Sequence, residues 1–459
     1  MSATDFATLP LAKEQLETLK ALNYEQMTPV QAQSLPAMLA GQDVIAQAQT
    51  GSGKTAAFAL ALLAKLDVSS FDIQTLVLCP TRELAEQVAE EIRRLARSQP
   101  NIKVLTLCGG APSKVQSLSL QHGAHIIVGT PGRVLDHLSH QRIDFSKLQT
   151  LVLDEADRML DMGFQEELDQ IIAATPEARQ TLLFSATFPA QIASMTKALM
   201  KTPEHVVVEE TNIESNIEQV FYQLNGGSRE DAVIQLLLER KPHNAILFCN
   251  TKRETHALFT MLHNYGFSVQ ALHGDLEQKD REQTLLQFNN QSVRILVATD
   301  VAARGLDIKA LDMVINVSLA HDTDTHVHRV GRTGRAGESG VAITLLTPQD
   351  DYKFSLLQDT MQTLIEPQRL PEPSAEQHTP LQAEMATIQI MGGKKDKLRA
   401  GDIVGALTKT NVIDFESVGK ISIQARTSYV AIKKDKAKQA VSFLNNDKLK
   451  GRRFKVRLL

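Results

Sequence analysis

Ala48-Gln49-Thr50-Gly51-Ser52-Gly53-Lys54-Thr55 closes the apolar run DVIAQA and opens the helix-like run AAFALALLAKL. A strand, a glycine-rich turn and a helix in that order make a cradle for phosphate. The glycines let backbone N–H groups approach the oxygens, and the helix N-terminus favours negative charge. Lys54 has the reach for terminal phosphates, and the Thr55 hydroxyl can ligate magnesium. Ala48 stands where the generic pattern has glycine. The stretch predicts a parallel α/β sheet with a nucleotide at the carboxyl ends of its strands.

Outward from this loop the same punctuation repeats. TLVLCPT, KVLTLCGG, HIIVGTP, TLVLDEAD and TLLFSAT follow in the first half, and AILFCNT, VQALHGD, RILVATD, MVINV and GVAITLLTP in the second. Near-continuous apolar runs ending in polar clusters are the pattern of parallel strands covered by helices on both faces. Polar residues and Gly226-Gly227 break the rhythm and predict a connection over 209–228. RLPEPSAEQHTP, 369–380, is rich in proline and polar residues and predicts a stiff linker. Beyond it, TIQIMGG, KISIQ, SYVAIK and FKVRLL with two intervening helical stretches give the order βαββαβ. The expected domains are 1–208, 229–368 and 381–459.

A chain of 459 residues with a net charge of −4 is long enough for several cores. The charge is unevenly spread. Residues 380–459 hold 17 Lys and Arg against 7 Asp and Glu, or +10, which leaves −14 on the remainder. A basic module on an acidic body points to a polyanion partner. No apolar run approaches the length of a membrane span, and the N-terminus lacks a secretory pattern, so a cytoplasmic protein without membrane partners is expected. Cys79, Cys108 and Cys249 have no metal-like spacing and read as reduced core residues.

Two further clusters complete a hydrolytic site. Asp154-Glu155-Ala156-Asp157 ends a strand-like run, so Asp154 can hold the magnesium shell and Glu155 can orient and deprotonate water. His328-Arg329-Val330-Gly331-Arg332-Thr333-Gly334-Arg335 carries three arginines. Arg332 and Arg335 are candidates for stabilising charge at a transferring phosphoryl group, which would couple hydrolysis to closure of the two halves. Lys54, Asp154, Glu155, Arg332 and Arg335 form the candidate catalytic set, with Thr55 and Asp154 as metal ligands.

Over about its first 370 residues the chain now resembles the DEAD-box RNA helicases of superfamily two. The resemblance rests on Tyr24 to Gln31, AQTGSGKT, PTREL, Gly109-Gly110, TPGR, DEAD, SAT, LFCNT, HGDLEQKDR, ATDVAARGLD and HRVGRTGR in chain order. It implies two RecA-like parallel-sheet domains in tandem, with ATP and Mg2+ as cofactors. It also implies that Thr28 and Gln31 read adenine, that Tyr24 stacks on it, and that Asp300 meets the ribose or Arg335. Asn23 and Met27 depart from the family's common Gly and Pro. Thr81, Arg82, Gly110, Thr130, Arg133, Thr251, Gly274, Arg281 and Thr299 map onto the family's RNA contacts, chemistries that bind phosphates without reading bases. Asp157, Ser185, Thr187 and His328 map onto its coupling between ATP and RNA.

The last eighty residues resemble the RNA-binding tail of a bacterial branch of that family, activated by a hairpin in large-subunit ribosomal RNA. The tail is an α+β domain like an RNA-recognition motif, yet its central strands offer only Tyr429 for stacking. Lys394, Lys395, Lys397 and Arg399 are therefore the expected RNA grip. The expected protein is a monomeric ATP-dependent RNA helicase acting on ribosomal RNA and pre-ribosomal particles. An ATP-gated RNA clamp or ribonucleoprotein scaffold is the alternative, and a translocating DNA helicase a weaker third.

Overall fold

Alternation within the apolar runs decides the first layer. In Val44–Gln47 (β1), Val44 and Ala46 face one core while Ile45 faces another, and Leu182, Leu183 and Phe184 divide in the same way. Side chains that alternate between two apolar clusters require helices on both faces of the sheet. Fully burying each large one contributes about 1.5–3 kcal/mol. The other strands are Thr75–Leu78 (β2), Val104–Leu107 (β3), Ile126–Gly129 (β4), Thr150–Asp154 (β5), Gln180–Ser185 (β6) and Glu204–Val207 (β7). Their order is β3-β4-β2-β5-β6-β1-β7, with every pairing parallel.

The structure is a computed structural model that describes residues 4–48, 51–208, 217–303, 311–334, 339–361, 363–372, 379–409 and 413–459, without the Val301 side chain. Gln49, Thr50 and Arg335 lie outside the described residues.

The second sheet repeats the first. Ile217–Gln223 (β8), Ala245–Cys249 (β9), Val269–Leu272 (β10), Ile295–Thr299 (β11), Met313–Asn316 (β12), Gly340–Leu346 (β13) and Gln368–Arg369 (β14) take the order β10-β11-β9-β12-β13-β8-β14, again all parallel. Two expectations are corrected here. The stretch expected as a connection over 209–228 contains β8, whose exposed Glu218 and Gln219 hide a strand that buries Val220, Phe221 and Tyr222. The linker expected from 369 begins inside β14, which pairs with Tyr222 and Gln223.

The C-terminal strands Met385–Ile390 (β15), Val418–Ile423 (β16), Ser428–Lys433 (β17) and Val456–Leu458 (β18) form an antiparallel sheet in the order β16-β17-β15-β18. The helices Ala400–Thr408 and Lys434–Asn446 contribute Ile403, Leu407, Ala440 and Leu444 to a core with Ile388, Ile390, Val430 and Ile432. The expected βαββαβ order is present. Cys79, Cys108 and Cys249 are buried and free. Among the described residues no helix is long and apolar enough to cross a membrane.

Candidate nucleotide and RNA site

The phosphate loop turns on glycines that only a left-handed backbone accommodates. Gly51 and Gly53 have φ of +91° and +93°, a region costly for other residues. A Cβ on Gly53 would come within 2.6 Å of Gln31 Nε2, so the turn also needs the missing side chain. Gln31 latches the loop: its Oε1 accepts from Thr28 N–H at 2.9 Å and its Nε2 donates to Gly53 O at 3.0 Å. Thr28 Oγ1 is buried beside Gly53 with no hydrogen-bond partner.

Lys54 opens the helix Lys54–Lys65 and is buried. Its Nζ donates to Ala48 O at 2.6 Å, while Ala48 N–H donates to Ser185 O at 3.0 Å. The loop is therefore fastened to the SAT segment at the end of β6. Ser185 Oγ donates to Thr187 O at 2.6 Å. Asp157 Oδ2 accepts from Ala186 N–H, Thr187 N–H and Thr187 Oγ1 at 3.2, 3.0 and 3.0 Å. Lys54, Ser185, Thr187 and Asp157 thus belong to one continuous network.

Asp154 ends β5 and is buried. Burial pushes its carboxyl up to about 7, against the pull of the Lys54 ammonium and with further push from Glu155 and Asp157. A buried carboxylate resisting ionisation is a site that favours a cation. Glu155 follows in a left-handed conformation, φ +51°, an uncommon geometry for a non-glycine residue at the edge of a carboxylate cluster. The orphaned Thr28 hydroxyl, the loop glycines and the buried Asp154 carboxylate fit a nucleotide phosphate with a divalent cation.

Tyr24 is half-buried and already engaged. Its hydroxyl donates to Glu91 Oε1 at 2.6 Å and accepts from Arg94 at 2.7 Å. The Arg94 guanidinium sits 5.5 Å from its ring centroid, and the Phe6 ring meets it edge-on. Burial and Glu91 push the phenol up to about 12. The residues that depart from the family pattern have local reasons. Asn23 lies at φ +60°, which Asn tolerates as Gly does, and Met27 donates its N–H to Thr4 O at 2.7 Å, a bond proline could not make.

The RNA candidates of the first sheet gather at the ends of β2, β3 and β4. Thr81 caps the helix Arg82–Leu95, its Oγ1 accepting from Leu84 N–H at 3.3 Å. The Arg82 guanidinium lies where a Cβ on Gly110 would stand, Gly110 itself at φ +75°. Arg133 donates to Ala111 O at 3.0 Å and Gln116 Oε1 at 2.8 Å. Thr130 opens the helix Pro131–Ser139.

In the second sheet domain Thr251 caps the helix Lys252–Tyr265 in a box with Glu254. Gly274 adjoins Lys252, which pairs with Asp275. Arg281 donates to Ala302 O at 2.8 Å, and Thr299 ends β11, buried. Asp300 has a partner that the sequence reading did not name. Both its oxygens are held by Arg329, at 2.6 Å from Nε and 2.7 Å from Nη2. Arg329 is 2% exposed and also donates to Ser318 O, Asn250 Oδ1 and Asn316 Oδ1, with its guanidinium 5.2 Å from the Phe248 ring centroid. Sequence reasoning missed this hub, although burial of Thr325, His326, Arg329 and Val330 on one helix face marks a helical period that it could have used. Arg332 is buried, and His328 Nδ1 is shielded without a hydrogen-bond partner.

In the C-terminal domain Lys394, Lys395, Lys397 and Arg399 are all exposed on the loop after β15. Lys450 Nζ donates to Lys397 O at 2.8 Å, bringing the basic C-terminal turn to the same place. Tyr429 is only 5% exposed, its hydroxyl accepting from Gln389 Nε2 at 3.1 Å. It is unavailable for stacking.

Family models match the chain in three consecutive parts: a DEAD/DEAH box helicase domain at 28–195, a helicase conserved C-terminal domain at 228–337 and a DbpA RNA binding domain at 387–458. The chain is 50% identical to the ATP-dependent RNA helicase DbpA of Escherichia coli over 457 residues, 99% of this chain and the whole of that protein. It is 40% identical to the helicase CshA of Bacillus subtilis, covering 81% of this chain and 75% of that one. Among solved structures, Dbp5 of Saccharomyces cerevisiae bound to RNA and ADP BeF3 matches with a TM-score of 0.73 and 31% identity, over 80% of this chain and 96% of that one.

Proposed function

We propose a target and a division of labour for this chain, which belongs to the DEAD-box ATP-dependent RNA helicases. As a member it is an RNA-dependent ATPase and RNA helicase, built of two RecA-like domains and an RNA-binding domain. The proposal is that it acts as a monomer in the cytoplasm on large-subunit ribosomal RNA, gripping a hairpin in pre-ribosomal particles while unwinding a short neighbouring duplex.

In this reading Tyr24, Thr28 and Gln31 border the adenine, residues 48–55 cradle the phosphates, and Asp300 is held ready by Arg329. Magnesium, held by Thr55 and Asp154, neutralises phosphate charge when bound. Glu155 orients the attacking water and accepts its proton as the bond to the terminal phosphate breaks. Arg332 and Arg335 supply positive charge to the transferring group. Asp157, Ser185, Thr187 and His328 relay nucleotide state to the RNA contacts.

The observation that carries the targeting is the cluster of four exposed cations at Lys394, Lys395, Lys397 and Arg399, beside a Tyr429 closed to stacking. Such a surface holds a folded RNA by shape and phosphate. Reversing Lys394, Lys395 and Lys397 to Glu is expected to remove the excess ATPase stimulation by the ribosomal hairpin over an unrelated RNA of equal length. Stimulation by the unrelated RNA should persist. Retained preference for the hairpin would overturn the assignment, and absence of strand displacement beside the hairpin would favour a clamp.

A further inference from the structure

A sheet of the RNA-recognition type ordinarily stacks bases on aromatic side chains of its central strands, and here the aromatic of those strands, Tyr429, is closed. An open one stands elsewhere. Phe415 is 72% exposed, more than any other large apolar side chain among the described residues of the C-terminal domain. It begins the turn Phe415–Ser417, which leads into β16, an edge strand of the sheet.

The turn is anchored on both sides of the ring. Ile413 before it and Ser417 after it are each 1% exposed, and Asp414 Oδ1 accepts from Ser417 N–H at 2.6 Å. A ring held out by a fixed turn is preorganised, so a partner that covers it loses little freedom in doing so. Cations lie one step away. Val418 pairs with Ile432, which brings the exposed Lys433 beside the turn. The Asp414 carboxyl is held below the usual carboxylate range first by its bond to Ser417, with the Lys433 and Lys436 ammonium groups adding to it. Asp414 and Glu416 themselves border the ring and repel phosphate there. The surface therefore suits the flat face of an unpaired base, with its phosphates displaced towards the lysines, better than it suits a duplex backbone.

We propose that Phe415 is a stacking platform for an unpaired base of the RNA that the C-terminal domain holds, with Lys433 and Lys436 meeting the adjoining phosphates. The platform is separate from the cationic loop. That loop follows Ile390, opposite Ser428, whereas the turn precedes Val418, opposite Ile432. The steps along β17 from Ser428 to Ile432, at about 3.3 Å each, set the two about 13 Å apart, the length of about four stacked nucleotides. One RNA can thus be gripped at the loop through a folded part and at Phe415 through a single-stranded extension. The inference rests on RNA binding by this domain and not on the choice of the ribosomal hairpin.

The chain contains no tryptophan, so Phe415→Trp in the full chain puts a single fluorophore at the turn. Titration with a hairpin carrying an unpaired extension of about six nucleotides, on its 5′ or its 3′ side, is expected to quench that emission, and the same hairpin with a blunt end is expected to leave it bright. Emission that stays bright when the extended hairpin saturates the protein overturns the proposal. Affinity gives the second measurement. The extension should tighten binding to the native chain, and Phe415→Ala should remove about tenfold of that gain, within the range for loss of one stacked base. Phe415→Trp should keep it. A native chain that gains nothing from the extension, or an alanine variant that gains as much as the native chain, also overturns the platform. Quenching that follows protein concentration without RNA would make the ring a contact between copies of the chain, and the proposal would fail. If the native chain does not prefer the ribosomal hairpin to an unrelated one, the targeting falls while both measurements, made with the unrelated hairpin, still decide Phe415.

Discussion

The two sheet domains share one strand order, and they part company at the turn after their first strands. β1 leads through Gly51-Ser52-Gly53 to Lys54-Thr55, and β8 leads through Gly226-Gly227-Ser228 to Arg229-Glu230. Both turns use left-handed glycines, at +91° and +93° in the first and +109° and +89° in the second. Both open a helix of 12 residues. The second even borders a cavity of about 400 Å³, lined among others by Gly227, Arg229, Glu230, Cys249, Glu254 and Thr347. What differs is the chemistry. Where the first turn offers the Thr55 hydroxyl, the second offers the Glu230 carboxylate, which repels phosphate. Arg229 is locked to Asp350 Oδ2 at 2.6 Å and Thr347 Oγ1 at 3.3 Å. The fold makes a hollow at the carboxyl ends of its strands twice, and the residues at the turn decide which one binds a nucleotide.

The sharpest way to break this comparison is at Glu155. Glu155→Gln is expected to slow RNA-stimulated phosphate release by about 10³-fold, within the range for loss of a general base, while leaving ATP-analogue binding intact. Undiminished turnover would remove hydrolysis from the first domain. Arg329→Ala addresses the second domain. Leaving Asp300, its side chain 14% exposed, without its buried partner should cost about 3 kcal/mol, the lower end of the range for breaking a buried pair, read as a fall in the urea midpoint of that domain. A loss below about 1 kcal/mol, the scale of an exposed pair, would show that Arg329 does not organise it. The smallest effect is expected at the second turn. Arg229→Ala opens a partly exposed ion pair worth about 1 kcal/mol, so stability should fall slightly and ATP affinity should hold. Loss of ATP affinity would mean that the two turns are not chemically divided after all.

Much of the fold was legible because it is written in local patterns. Apolar runs that end in Thr, Asp or Gly marked most strands, and Gly51 to Thr55 marked the helix they open. β8 was not legible, since its first residues Glu218 and Gln219 point to solvent and mimic a linker. β14 is two exposed residues with no period to detect. At the site, the DEAD carboxylates and the SAT hydroxyls were visible as types. Asp300 was assigned to the ribose or Arg335, and the structure gives both its oxygens to Arg329. Three arginines in eight residues look alike in a sequence, and only packing reveals that Arg329 is the one that holds Asp300.

The sequence by itself determined the residues that carry charge, hydroxyls and backbone freedom: the phosphate loop, the carboxylates after β5 and the cations after β15. Tertiary structure decided which of these are engaged and by whom. Asp154 rises to about 7 because the chain folds over it, Tyr429 is closed because Gln389 and its neighbours cover it, and Thr387 meets Asn290 and Ser292 from nearly a hundred residues away. Burial and pairing are properties of what packs against a side chain, and a linear pattern does not contain its distant neighbours.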